Sequence, residues 1–171
     1  SYRQQGLGGD ILLGAALALV LVLALPATAA DPYRPMKGTV TGVDSMGAPA
    51  DCPAWGQWRY ESRGTGRYTH LGFTSFHVSH CSAMTWPTAG QFGAGTMTLT
   101  AANGDTMILR DWGTFDLTLG PAGPIRSDVD LNWEVVGGTG RFEGADGSGG
   151  GAGYSQLSTG MTTMRMWGDI S

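Results

Sequence analysis

The chain has 171 residues, and its 10 Lys and Arg against 14 Asp and Glu give a formal net charge of −4. That length suits one domain with a sizeable core, and the lack of a basic stripe argues against a nucleic-acid partner. Hydrophobic residues make up 42% of the chain and charged residues 14%, which excludes a wholly disordered protein.

The N-terminal 30 residues are dominated by an uncharged apolar segment. Residues 11–30 contain no charged side chain, and about 20 such residues rising ~1.5 Å each cover the ~30 Å hydrocarbon core of a bilayer. We therefore predict one transmembrane helix within residues 1–30. The side chains expected to contact lipid are Ile11, Leu12, Leu13, Leu17, Leu19, Val20, Leu21, Val22, Leu23 and Leu25.

A cleaved secretory signal is the alternative interpretation of the same segment. Ala27-Thr28-Ala29 forms an A-x-A motif, and a basic residue, Arg3, precedes the apolar run. Both interpretations place the N-terminus in the cytoplasm and export everything after Ala30. We predict a single-pass protein of a bacterial inner membrane, in which a tether, residues 31–36, leads to a periplasmic domain, residues 37–171.

The exported part shows strand patterns and no sustained helical periodicity. Val129, Leu131, Trp133 and Val135 alternate with polar residues, as in a strand with one buried face. Asn103-Gly104 is a strong hairpin signal between two such runs. We predict strands at residues 36–43, 57–63, 67–81, 95–102, 106–112, 114–119, 128–135, 151–157 and 161–167.

Strands of this number and spacing predict an all-β sandwich or closed barrel. The many glycines favour a strongly curved sheet, because glycine relieves crowding where strands bend. The glycine-rich stretch at residues 144–153 fits either a flexible loop or a strand that lies close to another backbone.

Three glycine-containing motifs together resemble a known family. They are GTGRYTHLG at residues 64–72, TLTAANGDT at 98–106 and GGTGRFEGA at 137–145. In this order and spacing they are similar to bacterial exported proteins with an allene oxide cyclase-like barrel, over residues 37–168. The resemblance implies an antiparallel barrel of about eight strands. It transfers no activity, because none of the plant cyclases' polar barrel residues aligns here.

The two cysteines, Cys52 and Cys81, are predicted to form a disulfide, since the domain is exported to an oxidising compartment. Two buried thiols are the alternative. In the chain-entropy model, a bridge would stabilise the fold by ~3–4 kcal/mol, because it restricts the unfolded chain.

No catalytic, metal or cofactor site is predicted. On a strand, His77 and Cys81 would share one face while His80 points to the other, so the three do not converge on a metal. The chain has no Gly-x-Ser-x-Gly elbow and no Cys-x-x-Cys-His haem motif. Among the acids, Glu134 and Glu143 are expected to be solvated, and Glu61 stays open as a barrel-interior acid.

Several tryptophans lie near predicted turns and strand ends. Core packing is one interpretation of them, and contact with a partner protein or with lipid headgroups is the other. The residues predicted for such an interface are Trp55, Trp58, Trp86 and Trp112.

From these observations we expect a non-catalytic accessory subunit, anchored in the bilayer, whose barrel docks on subunits of a larger membrane complex. Photosynthetic and respiratory assemblies are candidate hosts by analogy with their other single-helix subunits. The alternative is a secreted, soluble barrel that binds or isomerises a small apolar or lipid-derived ligand. That alternative predicts a roomy interior with a few converging polar groups.

Overall fold

The computed structural model describes residues 33–171, which form a closed antiparallel barrel. Each strand pairs with the next one along the chain, and the last pairs with the first to close the barrel. The strands are β1 (Arg34–Gly47), β2 (Trp58–Tyr68), β3 (Gly72–Met84), β4 (Ala89–Ala101), β5 (Thr106–Gly120), β6 (Gly123–Gly138), β7 (Gly147–Gln156) and β8 (Met161–Ile170).

The predicted all-β antiparallel barrel of about eight strands is therefore confirmed. The glycine-rich stretch supplies most of β7, and the Asn103-Gly104 turn joins β4 to β5. The transmembrane helix predicted in residues 1–30 lies outside the described residues. Within residues 33–171, no helix has the length and apolar character needed to cross a membrane.

Two predicted strand boundaries are wrong. Residues 67–81 contain a turn between β2 and β3, where His70 and Gly72 adopt φ values of 69° and 72°. One continuous strand, β5, replaces the two strands predicted at residues 106–112 and 114–119. Gly113 does not interrupt it, and the glycine is needed because β6 approaches closely at this point. A Cβ atom on Gly113 would lie 2.0 Å from the backbone oxygen of Asp130 on β6.

One half of the barrel interior is solidly packed, and we call it the closed half. It contains the end where β1 begins and β8 finishes. Trp133 is fully buried there and donates a hydrogen bond of 3.1 Å from Nε1 to the Gly150 carbonyl. Its ring fits because Gly149 and Gly168 have no side chains, since a Cβ on either would lie 2.5 Å from the indole. The neighbouring core residues are Met36, Tyr68, Leu71, Leu99, Met107, Leu109, Phe142, Met166 and Ile170.

The other half, the open half, ends in the four connections β1–β2, β3–β4, β5–β6 and β7–β8. Inward side chains of all eight strands surround a cavity there instead of filling it. The barrel therefore separates a packed half from a hollow half, and the hollow half is where a site can form.

Candidate functional site

The cavity in the open half has a volume of about 400 Å³, which is within the range of small-molecule sites. Most of its wall is apolar, formed by Phe76, Val78, Met97, Phe115, Leu131 and Met164. Polar side chains project from the wall at two places, which are described in turn below.

The first polar feature is a buried histidine–aspartate pair. His80 on β3 and Asp111 on β5 lie 2.7 Å apart, from Nδ1 to Oδ2. Asp111 is 0% exposed and His80 is 9% exposed. The carboxylate can only accept, so Nδ1 donates and the pair fixes the orientation of the imidazole ring. The second ring nitrogen, Nε2, has no hydrogen-bond partner among the described residues.

Aromatic rings hold the imidazole from both sides. Tyr60 stacks on one face of His80 with ring centroids 4.9 Å apart, and Phe92 stacks on the other at 4.5 Å. Hydrogen bonding at Nδ1 and stacking on both faces together leave the ring little freedom to rotate. His80 is therefore preorganised, as functional side chains in rigid sites are.

A β-bulge in β4 brings the pair together. Strand β4 lies between β3 and β5, and its pairing shifts register on both sides around Gly93–Gly95. Ala94 adopts a positive φ of 51° within this bulge. Gly95 leaves room for the backbone of β3 at His80, because a Cβ atom on Gly95 would lie 2.3 Å from the Cβ of His80. Bulges commonly re-aim side chains next to functional sites.

The second polar feature is a hydroxyl cluster on the opposite wall. Ser155 Oγ donates to Thr162 Oγ1 at 3.1 Å, and Thr162 donates onward to the Tyr154 carbonyl at 3.2 Å. Ser62 and Tyr60 also line the cavity, from β2, the strand next to the one that carries His80. Burial, followed by the negative charge of nearby Asp44 and hydrogen bonding to its carboxylate, raises the pKa of Tyr60 above its usual range. The phenol therefore keeps its proton and can act as a hydrogen-bond donor.

Several enclosed polar atoms around the cavity have no hydrogen-bond partner among the described residues. They are Oδ1 of Asp111, Oγ of Ser62 and both carboxylate oxygens of Asp44, and the Tyr60 phenol is the polar group that lies near Asp44 and Ser62. Buried polar groups are almost always hydrogen-bonded, and an exception needs a water, an ion or a ligand to explain it. The residues lining the cavity include no Lys or Arg, so these acceptors are not neutralised by a basic side chain.

A disulfide supports the wall that carries His80. Cys52 and Cys81 are bonded, as predicted, with S–S 2.07 Å. The bond ties the β1–β2 connection to the outside of β3, at the residue after His80. Arg59 reinforces this contact by donating to the Ala50 carbonyl at 3.0 Å and to Ser79 Oγ at 2.8 Å.

The predicted candidate residues fall in different places. His77 and Cys81 lie on the outer face of β3 and His80 on the inner face, and the described residues contain no group of three or more side chains that could hold a metal. Glu134 pairs with Arg110 on the outer face and Glu143 is exposed, in agreement with the prediction. Glu61 also points outward, 3.6 Å from Arg63, so it is not a barrel-interior acid.

The four predicted interface tryptophans divide into two groups. Trp86, Trp112 and Trp55 have exposed fractions of 73%, 40% and 38%. Trp58 is turned inward, lines the cavity and packs edge-on against Phe115 with ring centroids 6.1 Å apart. The interface prediction therefore concerns only the first three residues.

Sequence reasoning missed the acids and aromatics of the cavity: Asp44, Tyr60 and Asp111. A signal for one of them was present, because Met107, Leu109, Asp111 and Phe115 occupy alternate positions that all face inward. An aspartate on the apolar side of such an alternation indicates a buried polar group.

Comparison with known proteins adds no family to this description: no family model, curated protein or solved structure matches the chain. The similarity to allene oxide cyclase-like barrels therefore stays a prediction from the three glycine-containing motifs.

Proposed function

We propose that the barrel binds a small, largely apolar molecule with one polar end in the cavity of the open half. The observation that carries this proposal is the combination of an apolar space of about 400 Å³ with enclosed, unpartnered polar atoms on its wall. A ligand with a polar end supplies the missing hydrogen-bond partners, and its apolar body contacts the rest of the wall. Binding is the proposed role, with His80 and Asp111 as positioning groups.

The entrance to the cavity fits an apolar ligand. In the four connections at the open end, residues 48–57, 85–88, 121–122 and 157–160, the one charged side chain is Asp51. Three large apolar side chains at this end are well exposed: Met46 at 67%, Trp86 at 73% and Leu119 at 56%. A rim with so few charges imposes little desolvation cost on an apolar molecule that passes it.

Filling the cavity tests the proposal. Val129 is half-buried on the cavity wall, and Val129→Trp would occupy part of the space. The full chain is titrated by calorimetry with three fluorescent probes of similar size: 1-naphthalenemethylamine, 1-naphthalenemethanol and 1-naphthaleneacetate. We expect saturable one-to-one binding of at least one probe, and loss of that binding in Val129→Trp.

The matched control is Thr114→Trp, which adds the same side chain on the exposed outer face of β5. This variant should bind like the unmodified chain. The proposal fails if none of the three probes binds saturably, or if Val129→Trp binds as tightly as Thr114→Trp.

Docking on a larger membrane complex is the second proposed function, together with the anchor in residues 1–30 and the periplasmic location. The exposure of Trp55, Trp86 and Trp112 favours it, because tryptophan is enriched where proteins bind one another. Gentle solubilisation of native membranes should recover the chain with partner subunits. Truncation of Trp86 to Ala should release it, whereas Phe73→Ser on the outer face of β3 should not. Recovery of the chain alone from native membranes contradicts this role.

A further inference from the structure

We infer that the cavity selects a positively charged ligand, an apolar or aromatic amine, over neutral and anionic molecules of the same shape. This inference rests on the proposed binding function and names the chemical class of its ligand. It is argued from the charges, the unpartnered atoms and the aromatic rings around the cavity.

The charged side chains on the cavity wall are acidic, apart from the imidazole of His80. Asp44 and Asp111 contribute carboxylates, and His80 is the one lining residue that can become positive. In an apolar space of low dielectric, a carboxylate that has no basic partner stabilises a cation strongly and repels an anion. A fatty-acid carboxylate placed at this wall would have no Lys or Arg to bind it, and it would face two acids.

Asp44 is the carboxylate without a basic partner. Oδ2 of Asp111 is already engaged by the ring of His80, whereas both oxygens of Asp44 are enclosed and the donor beside them is the neutral phenol of Tyr60. Asp44 lies three residues before the end of β1, in the part of the strand that lines the open half of the barrel, so its negative charge acts on a ligand in the cavity. An ammonium donor at this carboxylate forms a charge-assisted hydrogen bond.

Aromatic rings in the cavity wall add to the attraction for a cation. Tyr60 lies close enough for the Asp44 charge to raise the pKa of its phenol, and Trp58 and Phe76 also line this cavity. The face of an aromatic ring attracts a cation through its quadrupole, most strongly where water is excluded. A carboxylate together with aromatic walls is a combination suited to an amine.

The same three naphthyl probes test the inference, since they share a ring system and differ in charge. The full chain should bind 1-naphthalenemethylamine at least tenfold more tightly than 1-naphthalenemethanol, and 1-naphthaleneacetate should bind least. A charge-assisted hydrogen bond makes a difference of about 10- to 100-fold. In Asp44→Asn, which preserves the shape of the side chain, the preference for the amine should fall by a similar factor, and binding of the alcohol should remain.

The matched control is Asp130→Asn, which removes one negative charge from the exposed outer face of β6. It should keep the full preference for the amine, because that charge is screened by solvent and does not face the cavity. Circular dichroism melting confirms that both variants are folded.

Failure of the charge selection can be distinguished from failure of the proposed binding function. If the alcohol or the acetate binds as tightly as the amine, or if Asp44→Asn keeps the preference, the charge selection is wrong and the binding function stands. If none of the three probes binds, the proposed function fails, and the inference falls with it.

Discussion

Gly95 offers a direct test of how the bulge in β4 builds the site. The perturbation is Gly95→Ala, which adds a single methyl group on β4 against His80 of β3. That methyl would lie 2.3 Å from the Cβ of His80 and 2.5 Å from the backbone oxygen of Ser79. Neither neighbour is the end of a flexible side chain, so relief of the clash requires β3 and β4 to move apart.

The expected cost has two parts. Overpacking of a well-ordered interior costs about 1–3 kcal/mol. Movement of β3 also separates His80 from Asp111, and losing a hydrogen bond to a buried charged group costs about 1.5–3 kcal/mol. The sum is about 2.5–6 kcal/mol, and a domain of this size loses roughly 2–4 °C in Tm for each kcal/mol. Gly95→Ala should therefore melt about 5–24 °C below the unmodified chain.

Gly93 provides the matched control, because it belongs to the same bulge and differs only in the space around it. A Cβ atom on Gly93 would meet its nearest neighbour, the Cβ of Trp112, at 3.4 Å, which is ordinary van der Waals contact. Gly93→Ala should change the stability by no more than about 0.5 kcal/mol. If thermal melting by circular dichroism finds the two variants equally stable, the claim that the bulge has no room for a side chain at Gly95 is refuted.

Three further predictions concern stability. Replacing both Cys52 and Cys81 with Ser should lower the free energy of unfolding by ~3–4 kcal/mol, since the bridge closes a loop with a sequence separation of 29, and urea melts would measure the loss. Burial, followed by the Asp44 charge, raises the pKa of Tyr60 above its usual 10.0, so the unfolded chain loses this proton first and stability should fall as the pH rises above about 10. Urea melts of Tyr60→Phe should show a shallower alkaline fall, and an unchanged slope would contradict the assignment. Trp133→Ala should destabilise the closed half by about 3–5 kcal/mol in the same assay, whereas a small effect would mean that the indole is not a main support of that half.

Much of the barrel could be predicted from local patterns. The alternation of Val129, Leu131 and Trp133 correctly identified the inward face of β6, and the Asn103-Gly104 pair correctly identified a hairpin. These signals depend on residues that are neighbours in sequence. The errors at 67–81 and at Gly113 arose where the conformation depends on contacts between strands, as when the backbone of β6 approaches Gly113 too closely for a side chain.

The site was less predictable than the fold, for the same physical reason. His80 and Asp111 are 31 residues apart, and they meet only because β4 carries a bulge between them. The alternation along β5 marks Asp111 as a buried polar residue, but no local pattern reveals that His80 is its partner. The strand division at Gly113 also hid the alternation that places Asp111 inside the barrel. The histidine was correctly placed on the opposite face from Cys81, but its partner could not be identified.

The division of the barrel into two halves explains how it can retain unpartnered polar groups. Each enclosed polar atom that lacks a partner costs about 1–3 kcal/mol, and a single domain has only about 5–15 kcal/mol of net stability. The closed half offsets this cost through Trp133 and the core packed around it, which the cavity does not interrupt. A ligand that hydrogen-bonds to Asp44, Ser62 or Oδ1 of Asp111 therefore gains free energy that contacts within the described residues do not already recover.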